Sequence, residues 1–129
     1  MKHLPNIAGA LLGVAFLVFG LNYFLNFLPM PGLPEGSPAA AFMGAIYTTG
    51  FLGFVKVLEI TGGVLVAFPR TRIIGLVVLG PIIVNILAFH IFLTGGAGLF
   101  GPPLILALLS LFLVWHHRKT FGAFFLSRA

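Results

Sequence analysis

The chain has no cysteine, only two acidic residues, and a charged fraction of just 7% over its 129 positions. Each shortage excludes something. Without thiols, disulfide exchange, iron–sulfur ligation and thiol catalysis are closed to this chain. A soluble domain carries about 25% charged residues. This sequence is 60% hydrophobic with a mean hydropathy of +1.17, so it lacks the polar groups to cover itself against water. Its formal net charge of +5 is not gathered into a basic surface, which argues against nucleic acid as a partner. The charge reads instead as a topology signal with some attraction to anionic lipid.

What the sequence does have is apolar length. Four segments, approximately 7–28, 44–68, 73–93 and 101–117, are long and apolar, to be compared with the ~20 residues at ~1.5 Å rise that cross a ~30 Å hydrocarbon core. The expected fold class is an all-α integral membrane protein, a single four-transmembrane-helix bundle over residues 1–129. The first run is about twice the usual apolar stretch of a signal peptide, so it reads as a span. Helix breakers agree with this division. Residues 28–38 hold four prolines and two glycines, an irregular outer loop. Pro69 closes the second segment, and Gly95, Gly96, Gly98 and Gly101 with Pro102 and Pro103 separate the third from the fourth.

Six of the seven Lys and Arg residues (Lys2, Arg70, Arg72, Arg118, Lys119 and Arg128) fall at the N-terminus, between segments two and three, or after segment four. The positive-inside rule then places both termini in the cytoplasm. Counted inward from those ends, Glu59 lies about 15 Å deep, Lys56 about 20 Å and Asn85 about 18 Å. Asn22, Asn26, Tyr47, Thr48 and His90 fall in the outer half. These polar groups are expected to line a cavity among the first three spans, closed on the cytoplasmic side. Ser110 is all that the fourth offers.

Helical phase tests convergence. Lys56, Glu59 and Gly63 are spaced i, i+3 and i+7 and share a face, and Asn22 and Asn26 form an i, i+4 pair. Asn85 and His90 differ by about 140° and do not share one on a regular helix. Asn85 is therefore placed inside. Gly9 and Gly13, with Gly20 seven residues on, make a flat strip of small residues about 180° from Asn22. That strip is expected to meet span four or another copy of the chain.

Charged residues inside a membrane helix are costly and mark functional sites by default. Lys56 and Glu59 are accordingly the leading candidates for ligand binding or proton handling, with Asn85, Asn22 and His90 as further ligand-binding candidates. Each has a plainer role to set beside that: an ion pair that fixes helix rotation, or interhelical hydrogen bonds worth about 0.6 to 2 kcal/mol each. Bis-histidine haem is excluded because His90 is the one histidine within the apolar interior of the spans, His116 and His117 standing at the very end of the fourth. His116 and His117 are adjacent and project about 100° apart, so with Arg118 and Lys119 they read as an anchor at the membrane surface. No metal site is assigned.

The segments Val18-Phe19-Gly20-Leu21-Asn22-Tyr23-Phe24 and Phe27-Leu28-Pro29-Met30-Pro31, then Lys56-Val57-Leu58-Glu59-Ile60-Thr61-Gly62-Gly63, then Pro81-Ile82-Ile83-Val84-Asn85-Ile86-Leu87-Ala88-Phe89-His90, resemble the DoxX family of small bacterial four-span membrane proteins. The resemblance covers nearly the whole chain, and its most distinctive part is the glutamate followed by paired glycines. It implies a four-helix bundle in the bacterial inner membrane, with Glu59 at the family's acidic position. Members are described as membrane components of oxidoreductase systems, including a thiosulfate:quinone oxidoreductase subunit. The expectation is a membrane subunit binding quinone or another small amphipathic ligand beside Lys56 and Glu59, with no covalently bound cofactor. A membrane or soluble redox partner would do the electron chemistry, since the chain is not read as a self-sufficient enzyme. The alternative is a scaffold or chaperone-like subunit whose glycine strip docks another membrane protein. A small transporter, which would have to form a homo-oligomer, ranks third.

Overall fold

The computed structural model describes residues 2–30 and 32–126, and these are largely helical, with no strand among them. Arg128, one of the charges used for orientation, lies outside the described residues. Six α-helices follow in order: α1 Leu4–Leu25, α2 Pro38–Thr48, α3 Phe51–Ala67, α4 Arg72–Ala88, α5 Pro102–His116 and α6 Arg118–Leu126. A π-helical turn, Phe89–Leu93, continues α4.

Helix ends sit where the local chemistry puts them. Pro5 in the first turn of α1 has no N–H to lose there, and Asn26 closes the helix in the left-handed conformation at φ 53°, which asparagine tolerates. The Ser37 side chain accepts the Ala40 N–H at 3.1 Å to cap α2, with Pro38 just inside. Pro102 and Pro103 open α5.

Two helices are long and apolar enough to cross a membrane: α1, and α4 with its π-helical turn, each 22 residues, or ~33 Å at ~1.5 Å per residue. Two further pairs reach that length only together. They are α2 with α3, bent by 83°, and α5 with α6, bent by 70°. The described residues thus hold two helices long and apolar enough to cross a membrane, or up to four if each bent pair counts as one.

The apolar segment expected over 44–68 is not one helix. Thr48 and Thr49 turn their hydroxyls back onto the Gly44 and Ala45 carbonyls, and Gly50 takes φ 84°, a left-handed conformation that stops α2 and redirects the chain into α3. Hydropathy does not register such a corner, because the residues on both sides are apolar.

The helices α1, α3, α4 and α5 pack around one apolar core that includes Leu12, Phe16, Val66, Leu76, Leu79, Ile83, Leu106 and Leu113. α3 packs on α1 and α4, and α5 packs on the same two from across the core. Away from it, large apolar side chains such as Leu11, Val77, Leu108 and Leu111 stand exposed, as hydrocarbon-facing side chains do.

The glycine strip of α1 does not meet α5. It faces α3. A methyl group at Gly13 would lie 2.5 Å from the Gly63 carbonyl oxygen, and one at Gly20 would lie 2.6 Å from Ile60. The two backbones therefore approach as only glycine permits. Gly9 serves a different neighbour, since its missing side chain leaves room for the guanidinium of Arg72.

Arg72 was counted above among the surface charges, yet it is 2% exposed. Its Nε donates to the Val66 carbonyl at 2.8 Å and its Nη2 to the Ala67 carbonyl at 3.1 Å, while Nη1 donates to Asn6 Oδ1 at 3.0 Å. Thr71 Oγ1 donates to the Leu65 carbonyl at 2.7 Å. The last carbonyls of α3, which no intrahelical N–H can reach, are thus satisfied by the first residues of the next helix. A cation at a helix C-terminus also complements the macrodipole.

Candidate functional site

The geometry centres on α3. Lys56 Nζ donates to Glu59 Oε1 at 3.3 Å, the spacing of one helical turn. The pair is asymmetric: the Glu59 side chain is 6% exposed and that of Lys56 is 21% exposed. Lys56 is consequently the approachable member. It has two N–H donors left after serving Glu59, and a carboxylate held behind it.

The surroundings follow from the α1–α3 crossing. On one side of the pair Gly63 packs on Gly13 and Phe16, and on the other Gly20 packs on Ile60 and the Lys56 backbone. Close backbones leave little room beside Glu59. One turn before Lys56, the Tyr23 hydroxyl rests on Gly53, at 3.4 Å from the position a Cβ there would take. The Tyr23 ring is braced edge-on by Phe24 and Tyr47, at 4.9 and 5.6 Å between centroids. Tyr23 was missed as a site candidate. Its seven-residue spacing from Phe16 on α1, which puts both on the face that meets α3, was the available signal.

The other candidates do not join the pair. Asn22 is buried, but its amide accepts the Leu28 N–H at 2.7 Å and donates to the Leu28 carbonyl at 3.3 Å, tying the loop to the end of α1. Asn85, expected inside, is exposed on α4 and folds its Nδ2 back onto the Pro81 carbonyl at 2.8 Å. The reason is local: an acceptor one turn away on its own helix outcompetes a distant partner. His90 sits in the π-helical turn with Nδ1 at 2.8 Å from the Ile86 carbonyl, which makes Nδ1 the protonated nitrogen, and its ring lies against Gly98.

Two grooves lie away from the region among the first three spans where a cavity is expected. One groove of about 420 Å³ lies between α1 and α5, and one of about 200 Å³ between α4 and α5; neither is lined by Lys56 or Glu59. Chemically, the pair can present a cation to a carbonyl or anionic oxygen and can exchange a proton within itself. Comparison of the chain with family models, with curated proteins and with solved structures finds no match.

Proposed function

We propose that this chain is a four-span inner-membrane subunit of the DoxX type, with both termini cytoplasmic, which binds a quinone or a similar small amphipathic ligand at Lys56 in support of a redox partner. The observation that carries this reading is the asymmetry of the pair. Glu59 is almost closed off, whereas Lys56 keeps spare donors at a partly open position where a ligand could reach them. A quinone carbonyl fits that donor set. Lys56 would hold it, Glu59 would position Lys56 or pass a proton, and the ligand would supply the electron-carrying chemistry. In the four-span arrangement each bent pair counts as one crossing, α2 and α6 lying across the ends of α3 and α5.

A scaffold role is favoured by a different observation: Asn22, Asn85 and His90 each bond to backbone groups of their own helix or the loop after it, and none of the three joins Lys56 and Glu59. Paired substitutions separate the two readings. Lys56→Met or Glu59→Gln alone strands a charge in a low-dielectric site and costs about 3 to 5 kcal/mol, while both together are close to neutral for folding. With a ligand role, the double variant folds in detergent yet neither binds decylubiquinone nor complements a deletion strain. Recovery of cellular function by the double variant would refute the ligand site.

A further inference from the structure

The α1–α5 groove runs beside a set of cations with no acidic partner. Its walls are Leu4, Ile7 and Leu11 on one helix and Ile105, Leu108 and Phe112 on the other, so it extends about two helical turns without a polar side chain. At the end where α1 starts and α5 finishes, polarity changes abruptly. Lys2 lies two residues before Leu4, and Lys119 is the second residue of α6, which follows α5 directly after His117; both lysines are exposed. The single ion pair among the described residues is the distant one between Lys56 and Glu59, and the remaining acid, Glu35, sits in the loop at the opposite end of α1.

An apolar channel ending in unneutralised cations has the shape and charge of a phospholipid turned inside out. We propose that the groove is a binding site for an anionic phospholipid, with one acyl chain laid between α1 and α5 and the headgroup phosphate held by Lys2 and Lys119. The inference rests on the four-span reading, in which both helices border lipid. A zwitterionic lipid offers the same chain but no net charge to the cations, so selectivity resides in the rim and retention in the groove. The 70° bend between α5 and α6 is compatible with this, because it takes the start of α6, and Lys119 with it, off the axis of α5.

The test is native mass spectrometry of the full chain released from nanodiscs containing equal amounts of phosphatidylglycerol and phosphatidylcholine. The wild type should retain phosphatidylglycerol in preference. Replacing both cations, Lys2→Gln with Lys119→Gln, should lower that preference roughly 25-fold, at about fivefold per charge near the surface. Leu108→Trp, or Leu11→Trp should the first variant misfold, should fill the groove and lower retention of both lipids. Absence of a preference in the wild type, its survival in the double lysine variant, undiminished retention in the groove variant, or a dimer that Leu108→Trp dissociates would each overturn the lipid site. Cysteine labelling of the loops tests the four-span reading separately: correct topology without lipid preference fails this inference alone.

Discussion

Arg72 shows how much one side chain can do when its donors are spread in a plane. It reaches two carbonyls of α3 and an amide of α1 at once, which a lysine cannot. Arg72→Met should therefore cost about 3 kcal/mol, since it strands buried acceptors, and Arg72→Lys should recover less than half of that in thermal unfolding in detergent. Gly13→Val should cost about 1 to 3 kcal/mol by overpacking, whereas Gly122→Ala, with open space around it, should be neutral or gain up to about 1 kcal/mol of helix propensity. Equal effects of the two substitutions would refute the close α1–α3 crossing. The Lys56–Glu59 contact was legible in the sequence because i, i+3 spacing fixes it whatever the tertiary fold. The roles of Asn85 and His90 were not, since both a bundle interior and the carbonyl one turn back can satisfy such a side chain. Arg72 was misplaced because a cation beside an apolar run looks the same whether it snorkels to the surface or caps the helix before it.

At the scale of elements, the corners carry what hydropathy hides. Gly50 takes a left-handed conformation that costs a residue with a side chain about 1 to 2 kcal/mol, so Gly50→Ala should lower the melting temperature although nothing lies within 4 Å to clash. The corner between α5 and α6 holds His117, whose Nε2 is buried and has no hydrogen-bonding partner among the described residues. Burial, and then the positive neighbours His116 and Arg72, hold its imidazole below the ordinary histidine range. The folded form therefore binds this proton less readily than the unfolded form. Its contribution to stability should be complete above about pH 6.5 and decline as pH falls through the lowered value. Thermal melts at pH 7.5 and pH 5 should show this loss, and His117→Gln should reduce it; an unchanged pH dependence in that variant would remove His117 from the account. The apolar run 73–93 matches α4 with its π-helical turn almost to the residue and the run 7–28 is three residues late for α1 at each end, while the bends at Gly50 and His117 arise from single-residue geometry within stretches of uniform hydropathy.

For the whole molecule the open quantity is the number of crossings, and a chain without cysteine is suited to settling it. Gly32→Cys, Arg70→Cys and Thr120→Cys place single thiols in the first loop, between α3 and α4, and in α6. With four spans, an impermeant maleimide applied to intact cells should label position 32 alone. Labelling at position 70 as well would mean that α2 and α3 dip into the membrane and return, leaving two crossings. The arrangement of Arg72 has a further consequence, for the order of events during synthesis. Its guanidinium can leave water only when the α3 carbonyls and Asn6 are both in place, and these lie on segments made earlier. The first helix must consequently wait near the point of insertion until residue 72 emerges, and a chain lacking it would deliver α3 and α4 to the bilayer with a cation half-clothed.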